Sequence, residues 1–190
     1  MTVILVDIIV TAVLLAADLI SKHFISAFLL EKGGSYSVID KVLTFRYSEN
    51  AGAAFGIFEN ARVFLSLLVG IVVLALIVFM VIHIVRGKHK ERGSLLLHVA
   101  LSMVIAGGIG NLVDRIAFGY VRDFIEYTFI YTLFKKNFAI CNFADVWLTI
   151  GVILLVIYLI VFYAIAGREK DLRAATKKEA PSESEDSSDK

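Results

Sequence analysis

The chain has 190 residues, of which 58% are hydrophobic, and its formal net charge is only +1. Its mean hydropathy is +0.80, a value that water-soluble globular domains rarely reach. The composition therefore indicates an integral membrane protein, and the balanced charge excludes the basic excess expected of a nucleic-acid-binding protein.

The first apolar run begins close to the N-terminus and extends to about Leu30, interrupted by Asp7, Asp18 and Lys22. Because no basic region precedes it, we expect a retained transmembrane helix rather than a cleaved signal peptide. Val3–Lys22 would span about 30 Å, the thickness of the hydrocarbon core. Asp18 and Lys22 would share one helix face, either as a packing ion pair or as part of a polar cavity that orients substrate.

Residues 31–62 are too polar to cross a bilayer, and the alternation within Lys41–Ser48 predicts a strand at the membrane surface. Asn50 follows, ahead of a run of glycine and alanine that ends at Gly56. Small residues permit close approach of a backbone, so Asn50 could hydrogen-bond an extended peptide. A plain turn is the alternative interpretation.

The second span, Val63–Val85, carries no formal charge apart from His83, which we expect at the membrane interface because it lies one turn from Arg86. By the positive-inside rule, the loop that follows is cytoplasmic. Its basic residues are Arg86, Lys88, Lys90 and Arg92.

The third span, Ser94–Val113, contains His98, which we expect to be a packing residue with satisfied hydrogen bonds. Glycines near the end of the span favour either small-residue helix packing or close approach of the backbone to polar groups. These glycines and the polar residues that follow are Gly107, Gly108, Gly110, Asn111, Asp114 and Arg115.

Residues 116–143 return to short, aromatic-rich segments typical of an extracytoplasmic interface. The fourth span, Ala144–Ala166, begins at Asp145, whose carboxylate a helix N-terminus would stabilise. Basic residues after this span place the C-terminus in the cytoplasm as well. We therefore predict an all-α membrane protein with four transmembrane helices in residues 1–167, and a charged, disordered cytoplasmic tail in residues 168–190. A small β-containing extracytoplasmic region is expected from the outer loops at about 31–62 and 116–143.

This topology brings four acids to one level on the outer side. Two close carboxylates in a low-dielectric site share one proton, so that one can activate water while the other protonates a scissile carbonyl. The chain has neither the H-E-x-x-H zinc motif nor the G-x-S-x-G elbow, which favours this aspartic chemistry. Spacing alone leaves open which two acids form the pair. The four are Asp18, Asp114, Asp123 and Asp145.

Two other functions are compatible with acids in a membrane protein. A small proton-coupled transporter or channel subunit would distribute its acids along the bilayer depth, including the midplane. A presenilin-like intramembrane protease would need G-x-G-D, where this chain has Gly108-Ile-Gly-Asn111. The acids of this chain collect near one face instead, which argues against the transporter.

Several short motifs follow one another between Asp18 and Trp147. Together, in this order and at these distances, they resemble those of bacterial lipoprotein signal peptidase, also called signal peptidase II. The C-terminal tail lies outside the resemblance. The motifs are Asp18-x-x-Ser-Lys22, Asn50-x-Gly52-Ala-Ala-Phe-Gly, Gly-Asn111-x-x-Asp114-Arg115, Val-x-Asp123-Phe-Ile and Asn142-x-Ala144-Asp145.

The resemblance implies an aspartic endopeptidase of the bacterial inner membrane, with both termini cytoplasmic and the site toward the outer face. Its substrates would be prolipoproteins, cut just before the diacylglyceryl cysteine, in contact with membrane lipids. It also implies inhibition by globomycin, no metal and no cofactor. The implied catalytic residues are Asp123 and Asp145. The implied supporting or substrate-binding residues are Asp18, Lys22, Asn50, Gly52, Asn111, Asp114, Arg115, Asn142 and Ala144.

Two residues depart from the pattern of that family. Cys141 stands where a phenylalanine is common, and Trp147 stands where a small residue is frequent. Both flank Asp145 without replacing a catalytic position, so we expect an altered pocket shape rather than lost activity.

Overall fold

The computed structural model describes residues 2–52, 61–135 and 139–179. Within them lie four helices that are long and apolar enough to cross a membrane, together with a three-stranded sheet, which confirms the predicted fold class. The elements are α1 (Thr2–Glu31), β1 (Ser35–Ile39), β2 (Leu43–Asn50), α2 (Ala61–Val85), α3 (Ser94–Phe118), β3 (Val121–Glu126), α4 (Thr128–Phe134) and α5 (Phe143–Glu179), with one 3₁₀ turn at Lys88–Lys90.

Helix α3 is the central helix and packs against α1, α2 and α5. Its glycines allow this close packing, as predicted. A Cβ atom on Gly107 would collide with the carbonyl oxygen of Ala144, and one on Gly108 would lie 2.6 Å from Cγ2 of Val73. The other three helices expose leucine, isoleucine, valine and phenylalanine side chains on their outer faces, as contact with lipid requires.

The sheet is antiparallel in the order β1-β2-β3 and covers one end of the helices. Phe124 of β3 is fully buried beside Leu29 of α1, and its ring meets those of Phe45 and Phe143 edge to face, each at 5.8 Å. This packing fixes β3 against α1 and α5. We call this end of the molecule the sheet end, and the opposite end, which contains the 3₁₀ turn, the loop end.

The observed elements differ from the predicted ones in a few places. Strand β2 confirms the strand predicted within Lys41–Ser48, but β1 was not predicted because all its residues are exposed and its burial does not alternate. Helix α3 extends beyond the predicted end at Val113 to Phe118. It ends there because Gly119 adopts a left-handed conformation with φ of 81°.

Helix α5 continues to Glu179, so residues 168–179 of the predicted tail are helical. These residues are mainly alanine, leucine, lysine, arginine and glutamate, which have high helix propensity, and they include no glycine or proline. Residues 180–190 lie outside the described residues. The division into a membrane domain and a tail stays a prediction.

Candidate active site

Asp18 and Lys22 of α1 form the predicted ion pair, with 2.8 Å between Oδ2 and Nζ, and neither side chain is exposed. Lys22 also donates to Oδ1 of Asn111 at 2.9 Å, and Asp18 accepts the backbone N–H of Ala144 at 2.8 Å. Since these partners lie on α3 and α5, the buried pair connects three helices. The two charges face each other directly, as burial of an ion pair requires.

Asp145 is held at the start of α5 by a reciprocal capping arrangement with Asn142. The side chain of Asn142 accepts the backbone N–H of Asp145 at 3.1 Å, and the carboxylate of Asp145 accepts the backbone N–H of Asn142 at 3.1 Å. This is the capping box, with aspartate in place of the usual glutamate. The three-residue spacing between Asn142 and Asp145 was a sequence signal for this geometry.

Asp123 points from β3 into the same region and is only 1% exposed. Its carboxylate accepts hydrogen bonds from Nδ2 of Asn50 at 3.0 Å and from Nδ2 of Asn142 at 2.5 Å. Burial raises the pKa of Asp123 to about 6; the Asn50 bond opposes the rise and the nearby charge of Asp145 adds to it. A carboxyl group with such a pKa can hold or release a proton near neutral pH.

Asn111 of α3 links the ion pair to the two carboxylates. Its Oδ1 accepts from Lys22 and, at 3.1 Å, from Nδ2 of Asn142, while its Nδ2 donates to Oδ1 of Asp145 at 2.8 Å. Because the ammonium of Lys22 can only donate, the oxygen of Asn111 must face it and the nitrogen must face Asp145. Lys22 thereby fixes the donor that binds Asp145.

Asn50 is oriented by its own turn. The backbone N–H of Gly52 donates to Oδ1 of Asn50 at 2.9 Å, and Gly52 has φ of 75°, a conformation that favours glycine. With the oxygen engaged, the amide nitrogen of Asn50 faces Asp123. The predicted bond from Asn50 to an extended peptide stays a prediction, and residues 53–56 of this motif lie outside the described residues.

Arg122 was missed by the sequence reasoning. Its guanidinium binds Asp114 through Nη2 at 2.7 Å and Nε at 3.2 Å, and its backbone N–H adds a third bond at 2.9 Å. The guanidinium also lies over the ring of Phe118, 4.5 Å from the centroid. Arg115, the neighbour of Asp114 in sequence, instead donates to the backbone carbonyl of Asn111 at 3.3 Å. The Arg122 pair fixes β3 beside α3, next to Asp123.

The structure brings all the predicted site residues together at the sheet end. Four carboxyl groups lie beside three cations, so the group would carry one negative charge if every member were ionised, and one bound proton would balance it. A neutral group of this kind avoids the cost of an unpaired buried charge. The carboxyl groups belong to Asp18, Asp114, Asp123 and Asp145, and the cations to Lys22, Arg115 and Arg122.

The two residues that depart from the resemblance have structural partners. Cys141 donates its thiol to the carbonyl of Ile125 at 3.7 Å, and burial raises its pKa to about 11, so the thiol stays neutral. The indole ring of Trp147 stacks on Phe143, with 5.9 Å between centroids and 14° between the planes. Both residues therefore shape the wall next to Asp145.

Comparison with known sequences gives a consistent result. The family model described as signal peptidase (SPase) II matches residues 10–161, a range that includes every predicted site residue. A lipoprotein signal peptidase of Clostridium tetani is 39% identical over 131 residues, covering 69% of this chain and 78% of its own length. That of Staphylococcus carnosus is 40% identical over 151 residues, covering 80% of this chain and 87% of its own length.

Two solved structures share the fold. One, described as a bacterial membrane enzyme determined in meso at 1.9 Å resolution, is 33% identical with a TM-score of 0.67, and the match covers 81% of this chain and 92% of that chain. A second, determined in meso at 2.3 Å, is 31% identical with a TM-score of 0.64, over 82% of this chain and 87% of that one.

Proposed function

The chain belongs to the signal peptidase II family, and from that premise we propose that it is an aspartic endopeptidase whose catalytic pair is Asp123 and Asp145. As a member of this family it is a multi-pass membrane protease that removes signal peptides from prolipoproteins. The family match gives no support to the alternative of a proton-coupled transporter or channel subunit.

One observation carries the proposal, namely the set of side-chain amides that hold the two carboxylates. The side-chain amides of Asn50 and Asn142 donate to Asp123, and that of Asn111 donates to Asp145. The backbone N–H of Asn142 adds a second bond to Asp145. Because amide nitrogens only donate, they orient the carboxylate oxygens without supplying a proton acceptor that would compete with the pair. The arrangement preorganises two acids that share one proton.

The reaction follows from that shared proton. The ionised carboxylate of the pair takes a proton from water as the water oxygen attacks the scissile carbonyl carbon, and the protonated partner gives its proton to the carbonyl oxygen. A neutral tetrahedral intermediate results. As the intermediate collapses, the protonated member of the pair gives its proton to the leaving nitrogen and the C–N bond breaks. The ionised member takes a hydroxyl proton from the intermediate, which becomes the product carboxylic acid, and the pair again holds one proton.

The remaining site residues position this pair. Lys22 fixes the amide of Asn111 and neutralises Asp18, whose other oxygen holds the backbone of Ala144 at the start of α5. Gly52 permits the turn that aims Asn50. Positioning of catalytic groups within a fraction of an ångström is worth orders of magnitude in rate.

The membrane orientation follows from charge. By the positive-inside rule, the basic loop after α2 supports a cytoplasmic loop end, and the sheet end with its site would then face outward from the bacterial inner membrane. A substrate with a diacylglyceryl cysteine would present its scissile bond at this level with its acyl chains among membrane lipids. A cyclic lipopeptide inhibitor such as globomycin would occupy the same place.

The test is cleavage of a diacylglyceryl prolipopeptide by purified Asp123→Asn and Asp145→Asn variants. Each should lose roughly 10³-fold or more in kcat, because the shared proton can no longer be exchanged between two acids. Asp40→Asn, at an exposed position on the same end of the molecule, is the matched control and should keep full activity. Near-wild-type cleavage by either dyad variant would refute the assignment.

A further inference from the structure

Two apolar cavities lie one after the other along α2, and together they trace one groove from the sheet end toward the loop end. Its sheet half has a volume of about 690 Å³ and is lined by Val63, Gly70 and Leu74. Its loop half has a volume of about 490 Å³ and is lined by Ile77, Val81 and Ile84 of the same helix. Steps of three, four or seven residues, each of which returns to the same side of a helix, connect these positions, so both halves lie on one face of α2. We call the two halves together the long groove.

Helix α3 forms the floor of the long groove with the same continuity. Ile105 and Ile109 line the loop half, and Leu112 and Ile116 line the sheet half, again at helical spacing. At about 1.5 Å per residue, the α2 face from Val63 to Ile84 is roughly 32 Å long, close to the hydrocarbon thickness. The long groove therefore has the length and the apolar lining to receive a membrane-spanning helix.

The sheet end of the long groove meets the active site. Arg115 lines this end and lies close enough to Asp123 and Asp145 to interact with both charges. A bound peptide that leaves the groove at this end reaches the membrane depth at which Asp123 and Asp145 lie.

The loop end of the long groove meets a second polar cluster that plays no part in the reaction. Asp7 of α1 lines the groove, and its carboxylate accepts from Nδ1 of His98 at 2.9 Å and from the hydroxyl of Ser102 at 3.4 Å. His98 is fully buried, and its Nε2 lies 3.1 Å from Nδ1 of His83. These four residues, Asp7, His83, His98 and Ser102, form the histidine cluster. His98 thus has the satisfied hydrogen bonds predicted for it.

The histidine cluster can make all these bonds with neutral rings. His98 donates its Nδ1 hydrogen to Asp7 and accepts the Nδ1 hydrogen of His83 on Nε2. In this arrangement the cluster supplies no cation beside the carboxylate of Asp7. A carboxylate can accept about four hydrogen bonds, so lone pairs remain for a donor in the groove. A carboxylate at the edge of a bilayer is costly unless it is paired, and Asp7 is thus suited to bind a cation.

We propose that the long groove binds the apolar helix of the signal peptide, with a lysine or arginine of its N-terminal region paired with Asp7. The proposal rests on the proposed function. Signal peptides begin with a positively charged region, followed by roughly 7 to 15 apolar residues and then the cleavage site. That order matches the groove, which runs from a carboxylate through an apolar lining to the catalytic pair. The flexible stem of a lysine can reach Asp7 while its backbone lies at the interface.

The experiment compares two diacylglyceryl prolipopeptides that differ only in lysine or glutamine in the N-terminal region. Wild-type enzyme should cleave the lysine substrate with a KM roughly two- to fivefold lower at equal kcat, as expected of one ion pair at the membrane interface. Asp7→Asn should abolish that preference and leave kcat unchanged. Ser102→Ala, which alters the cluster but keeps its charge, is the matched control and should retain the preference.

Other outcomes separate this inference from the proposed function. Cleavage of both substrates with equal KM by wild-type enzyme would overturn the Asp7 site while leaving the peptidase intact, whereas no cleavage of either would refute the proposed function itself. If Asp7→Asn does not fold, Asp7→Glu should keep the preference for lysine, and loss of that preference would overturn the site.

Gly70→Leu, which fills the middle of the groove, should raise KM for both substrates. Unchanged KM in that variant would show that lipid occupies the groove instead, and would overturn the proposal.

Discussion

The same helices carry two buried polar clusters at their opposite ends, and the clusters balance charge in different ways. At the sheet end, Lys22, Arg115 and Arg122 accompany the four carboxyl groups, so one proton completes the balance. In the histidine cluster the carboxylate of Asp7 is bonded to two groups that can both be neutral. The sheet end therefore suits the proposed exchange of one proton, while the loop end leaves a carboxylate available to a cationic partner.

The two clusters also differ in rigidity. Amide side chains at the sheet end each have one orientation consistent with their partners, because Lys22 and the N–H of Gly52 can only donate. Histidine rings at the loop end can exchange donor and acceptor roles between tautomers. Fixed donors suit catalysis, whereas adjustable ones suit binding of varied N-terminal sequences.

The largest effect should come from removing the cation at the centre of the sheet end. Lys22→Met leaves the buried carboxylate of Asp18 without its ion-pair partner, whereas Asp114 keeps Arg122. We expect a loss of roughly 3 to 5 kcal/mol of folding stability. Thermal unfolding in detergent measures it. Lys32→Met, at an exposed position of the same region, is the control and should unfold like the wild type. An unchanged Tm for Lys22→Met would mean that the charges are balanced in another way.

Much of the sheet end could be predicted because its signals are local. Hydropathy predicted the four spans, and the second span lies at Val63–Val85 as predicted. The four-residue spacing of Asp18 and Lys22 predicted their ion pair. Spacing could not choose among the four acids, since their separation in space depends on how β3 and α5 pack. The resemblance was needed to select Asp123 and Asp145.

The rest was not predicted because its contacts are distant in sequence or depend on a turn. Arg122 reaches Asp114 only because Gly119 ends α3 and returns the chain antiparallel to β2, and no periodic pattern encodes that reversal. The bond between Asp7 and His98 joins residues 91 positions apart. The sequence shows that Asp7 and His98 are each polar within an apolar run, but it does not show that the two side chains come into contact.

A smaller effect should come from adding one methyl group at the sheet end. In Gly110→Ala, the new Cβ would collide with Oδ2 of Asp18 and lie 3.4 Å from Cβ of Ala144, so the helices must separate. We expect a loss of roughly 1 to 3 kcal/mol of stability together with reduced kcat. Gly70→Ala is the matched control, since its nearest neighbour would be Cδ2 of Leu112 at 3.8 Å. Equal Tm values for the two variants would contradict the close packing around Asp18.

The pH dependence of cleavage tests the exchangeable proton. Because the pKa of Asp123 is raised to about 6, activity should fall as pH rises through this value and the pair loses its shared proton. Asn50→Ala removes a hydrogen bond that lowers this pKa, so the midpoint should move upward by roughly one unit. The pH profile of kcat/KM measures the shift. Tyr47→Phe, on the same strand, should not move it, and a downward shift in Asn50→Ala would contradict the assigned role.

The smallest expected effect is a difference in stability between variants of two buried serines, one at each end of the molecule. Ser102 donates to Asp7 at 3.4 Å, a long and therefore weak bond, whereas the hydroxyl of Ser26 near the sheet end is buried without a hydrogen-bond partner. Alanine improves helix propensity equally at both positions, so the difference in Tm between Ser102→Ala and Ser26→Ala isolates the bond to Asp7. We expect Ser26→Ala to be neutral or slightly stabilising and Ser102→Ala to be less stable than it by about 0.5 to 1 kcal/mol. If Ser102→Ala were the more stable variant, the hydroxyl would not support the carboxylate, and Asp7 would depend on His98 alone for its position at the groove.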